Sequence, residues 1–306
     1  MNRIIYIKKL LLIFFSLFFI LLFFSNCVSA PEIKIKQDVK KIKEIKAKHI
    51  VFIGLDGFGA AYLPKADMPA LKQIIAEGSS CMEVYNVLPC YSFPNWISLL
   101  KGTPHDLQDD NDFPSIFTVI ENAKTHNTDY KINIAFFYEW YNFVKIYAPS
   151  ESSSKAEVFN FKSSHDTVNN ISSYIKENKP YFTAIIFDQP DLTGHKKGFG
   201  SKAYYKQLTA TDNYIAIIKQ AVIDADIYND TVFFISTDHG GSLHGHHLNT
   251  YKNRQIPLVI SGKGIKKNYT ITSLQRIFDI APTIAYILGL DIPDQWTGSP
   301  ITEILE

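Results

Sequence analysis

The chain has 306 residues, of which 46% are hydrophobic and 14% aromatic, a composition that excludes intrinsic disorder as the default state. Its formal net charge of +1 is unevenly distributed, because residues 1–48 hold ten Lys or Arg and three Asp or Glu, which leaves 21 and 27 for residues 49–306. The body is therefore mildly acidic, which excludes an extended nucleic-acid-binding face, since such a face requires a basic body.

The N-terminus has the pattern of an export signal. Basic residues precede Leu10–Phe24, an apolar run of about 15 residues that is shorter than a typical membrane-spanning helix. The lone cysteine that follows, Cys27, resembles the cleavage site of a bacterial lipoprotein. We therefore predict a signal peptide over residues 1–27 with a lipid anchor on Cys27, a charged tether over residues 28–48, and a location in the cell envelope. An uncleaved anchor and soluble secretion remain alternatives.

From residue 49 onward, apolar runs alternate with segments of helical spacing. The predicted strands are residues 49–55, 80–87, 132–137, 181–188, 231–237 and 257–261. The predicted helices are residues 68–77, 93–100, 163–178, 201–225 and 278–288. Strands that are apolar throughout and are separated by helices are typical of a mostly parallel sheet covered on both faces. We therefore predict a single α/β domain over residues 49–306, with the architecture of an α/β/α sandwich.

Aspartates follow three of the predicted strands. Asp56 comes after the first strand, Asp188 ends the strand at 181–188 and is followed by Asp191, and Asp238 comes after the strand at 231–237. One such aspartate alone is most simply a turn former or a helix cap. Because ligands of open α/β sheets bind beyond the carboxyl ends of the strands, the three together indicate a common crevice.

Carboxylates that crowd into one crevice repel one another unless cations lie between them. His195 follows Asp191 on what the pattern predicts to be a tight turn, and His239 follows Asp238 directly. Three further histidines lie within reach of the same rim: His244, His246 and His247. Mixed Asp and His ligation suits zinc, with manganese or iron as lesser options. The sequence thus predicts two divalent metal ions, with zinc as the preferred metal.

Ser92 is the candidate nucleophile. It directly precedes the predicted helix at 93–100, in the N-cap position, where free backbone N–H groups favour a phosphate or another oxyanion. Taken alone, a serine in this position is also explained as a simple helix cap. Beside two metal ions its hydroxyl becomes a nucleophile at neutral pH. We therefore predict that Ser92 is catalytic.

Six segments resemble, in order, the alkaline phosphatase superfamily, and its type I phosphodiesterase/nucleotide pyrophosphatase branch is the most similar. They are IGLDGFGAAYL, LPCYSFPNW, DQPDLTGH, STDHGG, IPLVISGKGI and FDIAPTIAYILGL. The resemblance covers roughly residues 49–302. It implies an α/β/α sandwich, two zinc ions, and a phosphoseryl intermediate on Ser92.

The resemblance also implies roles for individual residues. It assigns two sets of metal ligands: Asp56, Ser92, Asp238 and His239 for the ion that activates Ser92, and Asp191, His195 and a later histidine for the other. The spacing from the DHGG segment in related small bacterial members selects His246, while His244 and His247 remain possible. Asn111 falls near the family's phosphate-binding asparagine, although a shortened loop and His105-Asp106-Leu107 replace the usual sequence before it.

The fold alone does not choose the ester, because this architecture supports several hydrolytic activities. A sulfatase pattern requires Arg four residues after Ser92, where this chain has Trp96. Monoester dianions are often clamped by Arg, and only Arg254 and Arg276 follow the tether. We therefore predict a small-molecule phosphodiester or pyrophosphate as the substrate. A phosphomonoesterase, a sulfatase-like hydrolase and an inactive surface binding protein are the alternatives.

Overall fold

The computed structural model describes residues 47–105, 113–124, 133–143, 157–161 and 164–306. The described strands form one sheet. In chain order they are β1 (His49–Leu55), β2 (Gly78–Tyr85), β3 (Ile134–Tyr138), β4 (Glu157–Asn160), β5 (Phe182–Phe187), β6 (Thr231–Ser236), β7 (Gln255–Gly262) and β8 (Tyr269–Thr270). Their order across the sheet is β4-β3-β5-β1-β6-β7-β2-β8.

Most neighbouring strands run parallel. The central strand β1 pairs in parallel with β5 and β6, and β3 pairs in parallel with β4 and β5. Strand β7 is the exception, since it runs antiparallel to both β6 and β2. The mostly parallel sheet predicted from the sequence is confirmed. The reversal at β7 was not predicted, because a strand that is apolar on both faces carries no signal of its direction.

Helices cover both faces of this sheet. They are α1 (Pro69–Ala76), α2 (Ser92–Lys101), α3 (Ile116–Lys124), α4 (Ser164–Asn178), α5 (Asp191–Lys197), α6 (Lys202–Asp224), α7 (Tyr251–Arg254) and α8 (Ile280–Ile287). Buried residues of α2, α3 and α8 belong to one hydrophobic cluster, and those of α1, α4 and α6 belong to a second. Strand β1 contributes Ile50 and Phe52 to the first cluster and Val51 and Ile53 to the second. The predicted α/β/α sandwich is therefore confirmed.

Helix α5 is the unpredicted element that matters most for the site. The tight turn predicted from Asp191 to His195 is wrong, because these residues lie within the helix Asp191–Lys197. A glycine inside a short segment argues against a helix on propensity alone. Tertiary packing requires a glycine here, because a β-carbon at position 194 would lie 2.5 Å from the ring of Phe199.

Three sequence predictions fall outside the described residues. They are the signal peptide with Cys27, nearly all of the tether over residues 28–48, and Asn111. Within the part of the chain that is described, no helix combines the length and the apolar character needed to cross a membrane.

Candidate metal centre

The centre lies at the carboxyl ends of the three neighbouring strands β5, β1 and β6. Asp56 follows β1, Asp191 begins α5 shortly after β5, and Asp238 lies two residues beyond β6. The backbone joins two of these positions directly, because Asp191 N donates to Asp56 O at 2.9 Å. All three aspartates are buried. The parallel sheet thus brings together the carboxylates that the strand ends predict.

One group of side chains surrounds the imidazole of His239. Its Nε2 atom lies 3.2 Å from Asp238 Oδ2, 3.6 Å from Asp56 Oδ1 and 3.0 Å from Ser92 Oγ. Ligand atoms of Asp56, Asp238 and His239 all lie within 4.8 Å of one another. The structure therefore gathers the other three residues of the first predicted ligand set around His239 Nε2.

Ser92 is the first residue of α2, and Tyr91 is its N-cap. The prediction that Ser92 is the N-cap is thus wrong by one residue, within the usual uncertainty of helix ends. The Ser92 hydroxyl points to His239. It remains in the first turn of a ten-residue helix, where backbone N–H groups lack intrahelical acceptors and attract anions.

A second group forms on the side of α5. Ligand atoms of Asp191, His239 and His246 lie within 4.8 Å of one another, and the His239 and His246 rings stack with centroids 3.7 Å apart. His195 Nε2 adjoins this group, at 3.3 Å from Asp191 Oδ2 and 3.2 Å from His246 Nε2. Because Asp191 and His195 are four residues apart in a helix, they lie on one face.

The three candidate histidines of the loop after β6 have different surroundings. His246 donates through Nδ1 to Cys90 O at 2.5 Å, which directs its Nε2 atom toward His195. Neither of the two groups of potential ligands found among the described residues includes His244 or His247. Of the three alternatives, the structure thus brings His246 to the centre.

The residues present fit divalent metal ions. Asp56 Oδ1, Asp191 Oδ1 and Asp238 Oδ2 are buried and have no hydrogen-bond partner within the described part of the chain. Leaving such atoms unpaired is costly, so each calls for a ligand. In two of these carboxylates the second oxygen does have a donor. Trp96 Nε1 donates to Asp56 Oδ2 at 3.1 Å, and Thr237 Oγ1 donates to Asp238 Oδ1 at 3.1 Å. A set of carboxylate oxygens and imidazole nitrogens suits zinc.

The electrostatics of the centre also favour a cation. Burial, with repulsion from Asp238, raises the pKa of Asp56 well above its usual value and that of Asp191 to about 8. Burial raises the pKa of Asp238 to about 6. It lowers the pKa of His239 to about 3 and that of His246 to about 4. The imidazoles are therefore neutral, which is their ligand form, whereas the carboxylates need a positive charge nearby to stay ionised.

The structure adds supporting residues that the sequence analysis missed. Trp96 holds Asp56, and Asn86 Nδ2 donates to Asp238 O at 3.2 Å. Trp96 had a readable signal, because it lies four residues after Ser92 and so shares a helix face with the nucleophile. Asn86 had none, since it meets Asp238 across 152 positions of sequence.

Comparison with known proteins adds the family. Residues 50–106 and 116–277 match the family described as type I phosphodiesterase / nucleotide pyrophosphatase. The chain belongs to this family. The type I phosphodiesterase/nucleotide pyrophosphatase family is metal-dependent, in agreement with the buried Asp and His side chains at the strand ends.

Two curated proteins are similar to this chain in sequence. The bis(5'-adenosyl)-triphosphatase enpp4 of Mus musculus is 24% identical over 268 residues, which cover 78% of this chain and 55% of the relative. The arylsulfatase K of Canis lupus familiaris is 31% identical over 101 residues, which cover 31% of this chain and 19% of that protein. The chain spans about half the length of the phosphodiesterase relatives that it matches.

Solved structures show the same fold. Murine ectonucleotide pyrophosphatase / phosphodiesterase 5, in an inactive form in complex with AMP, superposes with a TM-score of 0.68 at 14% identity and covers 85% of this chain and 100% of that chain. The lipoteichoic acid synthase LtaP of Listeria monocytogenes superposes with a TM-score of 0.64 at 16% identity, covering 84% of this chain and 76% of that chain. The alkaline phosphatase-like fold is thereby established.

Proposed function

We propose that this protein is a metal-dependent phosphoric ester hydrolase of the phosphodiesterase/nucleotide pyrophosphatase type, with Ser92 as its nucleophile. The main support is the position of the Ser92 hydroxyl, 3.0 Å from His239 Nε2 in the first turn of α2. Buried carboxylate oxygens that lack a hydrogen-bond partner among the described residues lie beside it. A hydroxyl, unsatisfied anionic ligands and a helix N-terminus together suit attack on a phosphate ester.

The proposed ligands divide between two ions, as they did in the sequence analysis. Asp56, Ser92, Asp238 and His239 would hold one, and Asp191, His195 and His246 the other, with the ring of His239 between the two sets. When bound, two zinc ions would lower the pKa of the Ser92 hydroxyl and of a water molecule and would neutralise charge on the phosphate oxygens.

The chain's own groups account for the remaining parts of the reaction. The Ser92 hydroxyl loses its proton to solvent, its oxygen attacks phosphorus opposite the leaving group, and the bond from phosphorus to the leaving oxygen breaks as that oxygen takes up a proton. With a diester the product is a phosphoryl ester on Ser92 that still carries the second substituent, and water hydrolyses it to release a monoester and to return the proton to Ser92. The N–H groups of the first turn of α2 bind the phosphate oxygens during both steps. Asn111 is a further proposed contact to these oxygens.

The arginines support a preference for diesters and pyrophosphates. After residue 48 the sequence contains only Arg254 and Arg276. Arg254 Nη2 donates to Asn86 O at 2.9 Å, and Arg276 pairs with Asp279 at 3.0 Å. Each guanidinium thus already has an oxygen partner within the protein, which supports a substrate that does not need an arginine clamp for a second negative charge.

The decisive experiment compares hydrolysis of bis-p-nitrophenyl phosphate and p-nitrophenyl phosphate, with zinc or with EDTA. We expect zinc-dependent turnover, faster for the diester, and a loss of about 10³-fold or more in Ser92→Ala. Given the named activity of the mouse relative, diadenosine triphosphate is the third substrate to test.

Ser92→Thr is the matched control, because it keeps a hydroxyl in the same place and should retain measurable turnover. Equal activity of Ser92→Ala and the wild type would refute the nucleophile. An absence of metal-dependent turnover of all three esters would refute the proposed hydrolase activity.

We also propose that the protein is exported and held at a membrane through a lipid on Cys27. The support is the sequence pattern alone, namely a basic start, an apolar run and a following cysteine. Expressed in a bacterium that processes lipoproteins, the wild type should sediment with membranes, and Cys27→Ser should lose the lipid mass. A wild-type protein without added lipid would contradict the proposal.

A further inference from the structure

A small turn in the loop after β6 packs against the C-terminal end of α5. Ser242 N donates to Gly245 O at 2.8 Å, and Gly245 N donates back to Ser242 O at 3.1 Å, so the turn closes on itself. Leu243, at its tip, has a φ of 54°, in the left-handed region. Its carbonyl accepts a hydrogen bond from Phe199 N at 2.7 Å. The turn is therefore fixed both internally and against the segment that follows α5.

This contact replaces the hydrogen bond that would normally end the helix. In a continuing α-helix the N–H of Phe199 would donate to the carbonyl of His195, four residues earlier. Here it donates to Leu243 O instead, and His244 Nδ1 lies 2.9 Å from His195 O. The His195 carbonyl thus accepts from the His244 side chain, because the Phe199 N–H that would donate to it in a continuing helix is bonded to Leu243 O.

The exchange is reciprocal. His195 Nδ1 lies 2.9 Å from His244 O, so each ring faces the backbone carbonyl of the other residue. A carbonyl oxygen only accepts hydrogen bonds, so both Nδ1 atoms carry the hydrogen. His195 Nε2 is consequently left with its lone pair, and this is the atom that adjoins Asp191 Oδ2 and His246 Nε2.

We propose that His244 is a positioning residue for His195. Its main-chain carbonyl accepts from His195 Nδ1 and so sets the rotamer and tautomer that present Nε2 to the metal centre, and its side chain, which is bonded to His195 O, keeps that carbonyl in place. The inference rests on the proposed function, since it assumes that His195 is a ligand. The need for such a residue follows from exposure: the His195 side chain is 44% exposed, whereas that of His239 is fully buried. Burial and a hydrogen bond from Nδ1 to Gly240 O at 2.8 Å hold the His239 ring, whereas an exposed ring has fewer packing contacts and depends more on its hydrogen bonds. Outer contacts of this kind typically change metal affinity 10- to 100-fold.

The test measures zinc binding to the full-length protein by competition with a chromophoric chelator, fitted to two sites. His244→Ala should weaken zinc binding about 10- to 100-fold at one site and leave the other site unchanged. His244→Asn should restore most of this affinity, because the asparagine amide can donate from nearly the position of Nδ1. His244→Gln places its amide one bond further out and should not restore it. The neighbouring exposed His247→Ala is the matched control and should bind zinc like the wild type.

A second measurement applies even without metal. In zinc-free protein labelled with ¹⁵N-histidine, His195 should show the Nδ1–H tautomer, and His244→Ala should convert it to a mixture. Zinc binding and a tautomer both unchanged in His244→Ala would overturn the proposal.

His195→Ala separates this inference from the proposed function. If His195→Ala weakens zinc binding and His244→Ala does not, only the role of His244 is wrong. If His195→Ala itself binds zinc at both sites like the wild type, the ligand set of the proposed function is wrong. Wild-type turnover in Ser92→Ala, which would refute Ser92 as the nucleophile, leaves the inference about His244 standing as long as His195→Ala weakens zinc binding.

Discussion

Trp96 ties the helix of the nucleophile to the first carboxylate of the centre. Its indole Nε1 donates to Asp56 Oδ2, which turns the other oxygen of that carboxylate, Oδ1, toward the crevice. Trp96 is fully buried against Gly54, where a β-carbon would lie 2.6 Å from the indole ring. Packing therefore fixes the position of the indole, and its hydrogen bond fixes the orientation of the Asp56 carboxylate.

Removing this one hydrogen bond should loosen the metal. Trp96→Phe keeps an aromatic ring in the core but leaves Asp56 Oδ2 without its donor, so we expect zinc affinity to fall about 10- to 100-fold. Trp296→Phe is the matched control, since it also deletes an indole hydrogen bond, to Pro114 O at 2.8 Å, away from the centre. Titration with a competing chelator measures both variants. A loss of the same size in Trp296→Phe would show that the effect is general destabilisation.

At the scale of elements, α6 and α1 are joined by a buried carboxylate. Asp212 of α6 accepts hydrogen bonds from Ala70 N at 2.9 Å and Leu71 N at 2.8 Å. These N–H groups belong to the first turn of α1 and have no acceptor within that helix. Asp212 therefore caps α1 from another helix, a role that local sequence patterns do not reveal.

The cap should contribute to stability and not to catalysis. Asp212→Ala leaves the part-buried Ala70 N–H and the buried Leu71 N–H without their acceptor, and we expect the free energy of unfolding to fall by about 1–3 kcal/mol. Asp224→Ala, at the exposed end of the same helix, should change it by less than about 0.5 kcal/mol. Urea unfolding measures both variants. Turnover per folded molecule should match the wild type, and a large loss of turnover in Asp212→Ala would contradict this separation of roles.

The elements show where sequence patterns suffice. Continuous apolar runs predict the central strands, because a strand buried on both faces must be apolar throughout. Helix α5 was not predicted because it contains Gly194, which lowers helix propensity. The close contact of Gly194 with the Phe199 ring is tertiary, and local propensity carries no information about it. Likewise, the spacing that selected His246 carries no information about His244, whose partner lies 49 residues earlier in the chain. Patterns of side chains along the sequence thus identified candidate ligands, whereas the groups that orient them could be found only from the fold.

At the scale of the whole molecule, the centre couples stability to pH and to metal. A carboxyl whose pKa is raised by folding binds a proton more tightly in the folded state, so stability falls as pH rises toward the folded pKa. For Asp191 that value is about 8, and for Asp188, by burial and the nearby Glu139, about 7. The lowered pKa values of His239 and His246 have the opposite effect, but only below the usual histidine pKa of about 6.5.

Between pH 6.5 and 8, then, the raised pKa values of these carboxyls make the protein less stable as pH rises. We expect the melting temperature in EDTA to fall as pH rises over this interval, and the increase produced by zinc to grow over the same interval, because zinc replaces the missing protons. Differential scanning fluorimetry at several pH values measures both. Asp191→Asn should flatten the pH dependence in EDTA. A zinc-induced shift that stays constant or shrinks with pH would contradict the coupling.

The position of β1 at the middle of the sheet has a consequence for how the metal is retained. The candidate ligands come from segments as far apart as Asp56 and His246, and they meet only when β5 and β6 are both docked on β1. Fraying at the outer strands β4 and β8 leaves these pairings intact, so partial opening of the sheet edges does not separate the candidate ligands. Loss of the ligand arrangement by unfolding is then a global event, and the amide protons of β1 should exchange only through global unfolding.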